Sequence, residues 1–337
     1  MTGSPLAKQH HPENWQRELA ACFSDIETLC RFLQISPADL AISRTAAAAF
    51  PLRVPQGFAA CMEKCNPEDP LLLQVLPVEQ EQRHYPGFST DPVGDLGSIS
   101  EAGVLHKYHG RALFIISGSC AINCRYCFRR HFPYAEIQLS RERRLAAVRY
   151  IENNPDISEV ILSGGEPLLW NDARLSELFS GLAGIDHLQR IRIHSRLPIV
   201  LPSRITTQLL ACLKRVRQQV VLVVHCNHGN EISPAVARAC NALRENDITL
   251  LNQSVLLKNV NDSPGQLCQL SEKLFSTGIL PYYLHLLDKT SGTGHFQVGE
   301  AHARKIYREV QNRLPGYLVP KLVREQAGSL SKTVIAV

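Results

Sequence analysis

The chain has 337 residues, a formal charge of +5, 45% hydrophobic and 20% charged residues, the balance of a water-soluble globular protein with material for one large domain or two ordinary ones. No apolar run is long enough to span a bilayer, and the positive excess is too slight to imply nucleic acid or a membrane surface as partner. Eleven cysteines, with no secretory signal in the opening MTGSPLAKQHHPENW, point to reduced thiols in a cytoplasm rather than to a disulfide framework.

Trp15, Leu19, Cys22, Phe23, Ile26, Leu29, Phe32 and Leu33 recur at helical spacing and predict one amphipathic helix. Ser36-Pro37 reads as an N-cap followed by proline at the first helical position. A helical stretch over 54–65 ends at Asn66-Pro67, and 70–100, rich in Pro, Gly, Asp and Ser, reads as an extended wrapping arm. Residues 1–100 thus form a small helical region and arm laid on the main domain. Beyond them, β-branched apolar runs at 112–117, 157–163, 191–195, 220–226, 248–255 and 281–287 predict six strands. Helical patterns at 140–153, 172–183, 203–217, 233–246, 264–277 and 299–313 alternate with them. This is an α/β chain with a parallel sheet, its main domain over 101–315. A partly closed barrel and a doubly wound open sheet both fit the repeat. A short apolar run at 317–323 begins a last segment, 316–337.

In either architecture the site belongs at the C-terminal ends of the strands. The unusual residues gather there. A cysteine cluster follows the first strand and Ser163-Gly164-Gly165-Glu166-Pro167 the second. His194-Ser195-Arg196 follows the third, His225-Cys226-Asn227-His228 the fourth, Asn252-Gln253-Ser254 ends the fifth and Asp288 the sixth. Six such groups at one rim argue for a single large site.

Cys120, Cys124 and Cys127 lie within eight residues on a loop and can converge on one metal centre. Thiolates select iron–sulfur clusters, zinc or copper(I). A closed zinc site wants four protein ligands; no nearby cysteine supplies the fourth, although His131 is close enough to be considered. On a four-iron cluster, three cysteines leave one iron open for a ligand. Gly164 and Gly165 permit close backbone approach, and Glu166 can accept a hydrogen bond from an ammonium group.

CxxxCxxC followed by an aromatic residue, directly after the first strand of such a repeat, resembles the radical S-adenosylmethionine (SAM) signature, and the Gly-Gly-Glu run resembles that superfamily's SAM-binding segment. From Phe50 to Thr333 the chain resembles lysine 2,3-aminomutases, through Phe50-Pro-Leu-Arg-Val-Pro55, Asn66-Pro-Glu-Asp-Pro-Leu71, Gln74-Val-Leu-Pro77, Cys124-Arg-Tyr-Cys-Phe-Arg-Arg130, Asn252-Gln-Ser-Val-Leu-Leu257 and Pro281-Tyr-Tyr283. The resemblance implies a radical SAM partial (β/α)6 barrel with an N-terminal helical region and a C-terminal segment carrying a lysine for pyridoxal 5′-phosphate (PLP). It implies a [4Fe-4S] cluster on Cys120, Cys124 and Cys127, with SAM on its open iron, and conversion of L-lysine to (R)-β-lysine. Carried over residue by residue, Lys332 would bear PLP, and Lys107, Tyr108 and Arg111 would hold its phosphate. Gly164, Gly165, Glu166, His225 and Gln253 would contact SAM. Arg129 would bind the substrate carboxylate, and Asp288 and Glu325 the distant ammonium. Bland alternatives stand beside two of these: Glu325 as an exposed acid next to Arg324, and His225 as a structurally satisfied histidine. For His228 the structural role is the favoured one.

The short form resembles the branch that supplies β-lysine for modifying elongation factor P. That implies a functional link to the factor and its lysyl-transferring enzyme, an electron donor such as a flavodoxin or ferredoxin, and a possible homo-oligomer. Gly328-Ser-Leu-Ser331 replaces the family's glycine-rich run, and Glu325 stands where an aspartate is usual. Two rival readings remain: a 2,3-aminomutase acting on glutamate or another amino acid, and a zinc-binding interaction protein.

Overall fold

The computed structural model describes residues 14–101, 104–134 and 141–337; most of the opening stretch on which the expectation about a secretory signal rests lies outside them. The first helix is two, α1 (Asn14–Ala20) and α2 (Ile26–Leu33). Periodicity spans the break, but Phe23 leaves the helix to pair with Val54. Phe23 N donates to Val54 O at 2.8 Å, and Val54 N to Phe23 O at 3.0 Å. Asp25 then starts α2 by accepting from Thr28 N at 2.7 Å. Ser36-Pro37 caps only one 3₁₀ turn, Pro37–Asp39. After α3 (Arg44–Ala49), the stretch expected over 54–65 shrinks to α4 (Gln56–Ala59), and the arm carries the short α5 (Pro70–Leu73). Leu29, Leu33, Val54, Phe58, Leu71 and Val75 are buried in one core with the strand residues Phe114, Leu162 and Ile193. The helical region is therefore built onto the main domain.

Two antiparallel strands, β1 (Ile99–Glu101) and β2 (Val104–Tyr108), lead into β3 (Arg111–Ser117). The repeat follows as α6 (Arg141–Glu152), β4 (Glu159–Gly164), α7 (Asp172–Ala183), β5 (Arg190–Ser195), α8 (Leu197–Val200), α9 (Thr207–Lys214), β6 (Gln219–His225), α10 (Pro234–Arg244), β7 (Thr249–Val255), α11 (Pro264–Ser276), β8 (Leu280–His285) and α12 (Glu300–Arg313). Strands β3 to β8 are parallel, each beside the one before; β9 (Lys321–Arg324) adds in parallel and β10 (Thr333–Val334) antiparallel. Strand order never reverses, so the doubly wound alternative, which needs a switch point, is excluded in favour of the partial barrel. The helix expected over 203–217 starts late, because Pro198 and Pro202 confine the chain to α8 and a 3₁₀ turn. Asn171, Thr206, Ser233 and Ser263 cap α7, α9, α10 and α11 by accepting from backbone N–H groups.

Side-chain alternation places the site. On β4, β5 and β6 one set, Val160, Leu162, Ile191, Ile193, Leu222 and Val224, packs under the helices. The other set, Ile161, Ser163, Arg192, His194 and His225, points into the barrel and lines a cavity.

Candidate functional site

That cavity, of about 450 Å³, opens at the C-terminal ends of the strands. All fifteen residues assigned a role from the sequence line it: Lys107, Tyr108, Arg111, Cys120, Cys124, Cys127, Arg129, Gly164, Gly165, Glu166, His225, Gln253, Asp288, Glu325 and Lys332. They arrive from β2, from β3, β4, β6, β7 and β8 with the loops that follow them, and from the β9–β10 hairpin.

One wall is the cysteine loop after β3. The N-terminal region templates it: Asn123 N donates to Arg53 O at 3.1 Å and Arg125 N to Gln74 O at 2.8 Å. Arg125 is fully buried, its Nε 2.8 Å and Nη2 2.6 Å from the Glu81 carboxylate, which also accepts from Arg130 at 2.7 Å. All three thiols face the cavity. Burial pushes Cys120 well up and Cys127 up to about 11. Arg196 donates through Nη1 to Cys124 Sγ at 2.7 Å, and through Nη2 to Gln74 and Glu231 at 2.8 and 2.9 Å. A Cβ on Gly164, whose φ is +118°, would stand 2.5 Å from Ser117 O, and one on Gly165 2.5 Å from Ser119 O. Only glycines let the end of β4 lie against the cysteine loop. Glu166 accepts from Ser195 Oγ (2.7 Å), Arg196 N (2.8 Å) and Leu168 N (3.1 Å), tying β4 to β5. Burial raises its carboxyl to about 7.

The opposite wall carries the hairpin. Glu325 follows β9 directly and Lys332 directly precedes β10, so the seven-residue spacing sets them face to face, with Nζ 2.6 Å from Oε2. Tyr108 donates to the other Glu325 oxygen at 3.1 Å, and Lys107 Nζ stands 4.0 Å away. The Glu325 side chain is 17% exposed, which overturns the alternative of a solvated acid beside Arg324. Burial would raise it, but Lys332 and Lys107 outweigh burial and hold it low. Asp288, half-buried, lines the same cavity, and desolvation there, then Glu325, pushes its carboxyl up to about 7. Arg111 stacks over Tyr108 at 5.2 Å and faces the cavity.

The floor is polar and uncharged. Gln253 Nε2 lies 2.8 Å from His225 Nε2, which accepts and so carries its proton on Nδ1. Burial drops His225 to about 3 and drives His194 and His285 well below the ordinary histidine range. Nε2 of His194 and of His285 is buried with no protein partner. His228 faces away and accepts from Asn230 N at 3.2 Å, the structural role expected of it. His131 lies outside the cavity against Ser291 O at 3.0 Å.

Sequence reasoning missed Asp95, Arg192 and His285, all on the cavity. Two left a signal. Arg192 and His194 alternate with Ile191 and Ile193 in β5, and Tyr283 and His285 occupy alternate positions of β8. In a strand covered on both faces, such alternation marks a wet interior.

Residues 114–270 match the model of the Radical SAM superfamily. The chain is 49% identical to an L-lysine 2,3-aminomutase of Escherichia coli (strain K12), over 95% of this chain and 94% of that one. It is 48% identical to one of Haemophilus influenzae, over 96% of each, and 44% identical to one of Buchnera aphidicola, over 97% of each.

Proposed function

Since the chain belongs to the lysine 2,3-aminomutase family of radical SAM enzymes, we propose that it converts L-lysine to (R)-β-lysine in the cavity at the barrel mouth. The observation that carries the reading is the convergence there of the cysteine loop, at one wall, with Lys332, Arg129 and Asp288.

The residues fit the groups the family uses. Three thiols around one wall, with a guanidinium on one sulfur, are a donor set for an iron–sulfur cluster. The three cysteines line one cavity together with Arg196 and the Gly164–Gly165 backbone. The Gly164–Gly165 contact leaves backbone beside it for the amino acid end of SAM. Lys332 is within reach of the cationic strip of Lys107 and Arg111, as a lysine-bound pyridoxal phosphate requires. When bound, cluster and SAM supply an organic radical, and PLP supplies the conjugated system that lets nitrogen migrate between adjacent carbons.

The chain's own task is placement. Arg129, on the cluster side, would take the α-carboxylate, and Asp288 with Glu325, on the hairpin side, the ε-ammonium, so the β-carbon is held between. Glu325 is on station: its carboxylate already binds an ammonium, that of Lys332. Neutral His194, His225 and His285 line the floor without adding charge.

The branch resemblance extends the proposal to a supply of β-lysine for elongation factor P. Anaerobic incubation of reconstituted protein with SAM, PLP and either L-lysine or L-glutamate tests the substrate: β-lysine is expected, and β-glutamate alone would establish the glutamate reading instead.

A further inference from the structure

We propose that Asp95 is a positioning residue that aims Arg129 at the substrate α-carboxylate and fixes the arm over the site; the proposal rests on the assignment of lysine aminomutase activity to the cavity. Asp95 belongs to the arm, 34 residues before Arg129 and 12 before Lys107, and is 3% exposed. One carboxylate oxygen accepts from Arg129 Nε at 2.8 Å, and the other pairs with Lys107 Nζ. Lys107 also donates to Val93 O at 2.8 Å, so the arm holds it twice.

The geometry on Arg129 decides what remains. A guanidinium has five N–H donors in a plane. Asp95 takes Nε–H, and Ser163 Oγ accepts from Nη1 at 3.1 Å. Two fixed points set the plane, and the Phe128 and Phe132 rings lie 4.8 and 5.8 Å from its centre. The remaining Nη hydrogens form the fork that a carboxylate matches with two oxygens. Without Asp95 the guanidinium would keep only its Ser163 hydrogen bond, and two neighbouring cations would lack their shared anion.

Asp95 is itself held firmly. Its N–H donates to Asp91 Oδ1 at 2.9 Å, and its carbonyl accepts from Ser98 N at 3.0 Å. The arm is pinned at one end by Ser89, whose N–H donates to Lys289 O at 2.9 Å. At the other, Gly94, at φ +65°, packs so close to Ala327 of the hairpin loop that a Cβ would stand 3.2 Å away. The segment that joins Arg129 to Lys107 through Asp95 therefore also packs, through the neighbouring Gly94, on the loop between Glu325 and Lys332.

The test is a double-mutant cycle on reconstituted holoenzyme. Asp95→Asn keeps the shape and removes the charge. It is expected to retain iron and PLP absorbance, to raise KM for L-lysine at least about tenfold, and to change kcat much less; Asp95→Glu should recover part of the loss. In the Arg129→Gln background, Asp95→Asn should add less than about twofold, because the two act as one unit. An unchanged KM in a cofactor-loaded Asp95→Asn protein overturns the proposal, as do equal losses in both backgrounds. Loss of iron and PLP from Asp95→Asn assigns the residue to the fold and also overturns it. Failure of the unaltered holoenzyme to turn over L-lysine is a separate result, against the functional reading itself.

Discussion

Glu325 and Lys332 face each other across the open end of the β9–β10 hairpin, carboxylate to ammonium at 2.6 Å. The carboxylate assigned to a substrate ammonium is thus occupied by the lysine assigned to PLP. If Lys332 Nζ were taken up by PLP, the Glu325 carboxylate would be left for a second ammonium in the same space. Lys332→Ala should lose the visible PLP absorbance and all turnover. Glu325→Gln should keep the absorbance but bind L-lysine at least tenfold more weakly, a cost of about 1.4 kcal/mol or more. Absorbance titration with PLP and then with L-lysine separates the two effects.

Asp288 predicts a pH dependence. Its carboxyl is raised to about 7 by burial and by Glu325, so it is half protonated at neutrality without substrate. An ammonium beside it favours the ionised form, and lysine binding below pH 7 must release a proton. KM for L-lysine should climb as pH falls through 7, by about tenfold per unit at the limit. Asp288→Asn should remove that slope along with much of the affinity. The sign for folding is opposite: with the folded value raised, this group's contribution to stability is full below its ordinary value and is lost as pH rises through about 7. Denaturation of the ligand-free protein at several pH values reads that part.

Gly165 is the point where β4 meets the cysteine loop. Gly165→Ala sets a methyl 2.5 Å from Ser119 O and 2.9 Å from Ser119 C, both backbone. The loop must move, at a cost of about 1–3 kcal/mol. The variant should fold but take up less iron and sulfide on reconstitution, measured by metal analysis.

Glu81 sits between Arg125 and Arg130 and is itself buried. Burial would raise its carboxyl, but the two guanidiniums outweigh that and hold it below the usual range. Glu81→Gln strands two buried cations and should cost about 3–5 kcal/mol in chemical denaturation. The stability from this group is present above the ordinary glutamate value and is lost as pH falls through its lowered one.

The repeat is legible in the sequence because strands covered on both faces concentrate β-branched residues, and Ser-Pro at 233 and 263 announces two helix starts. Partners distant in sequence are not legible. The break at Phe23 is made by Val54, and periodicity has no term for a backbone pair. Strand β2 reads only as the approach to the first strand, because Val104–Tyr108 has one apolar pair and then His, Lys and Tyr. The cysteines, glycines and Lys332 stand out through spacing and resemblance. Asp95 stays hidden because an aspartate in a Gly- and Pro-rich arm reads as a turn residue. The N-terminal motifs have no role in the sequence alone; in the fold, Arg53, Gln74 and Glu81 hold the cysteine loop in place.

The central claim is that the cysteine wall and the lysine wall serve one reaction across one cavity. It is tested most directly by following the hydrogen of the β-carbon. L-Lysine carrying deuterium at C3 should, on turnover with unlabelled SAM, place deuterium on the 5′-carbon of SAM and at C2 of the β-lysine formed. β-Lysine formed with all its deuterium retained at C3 and none in SAM would contradict that claim.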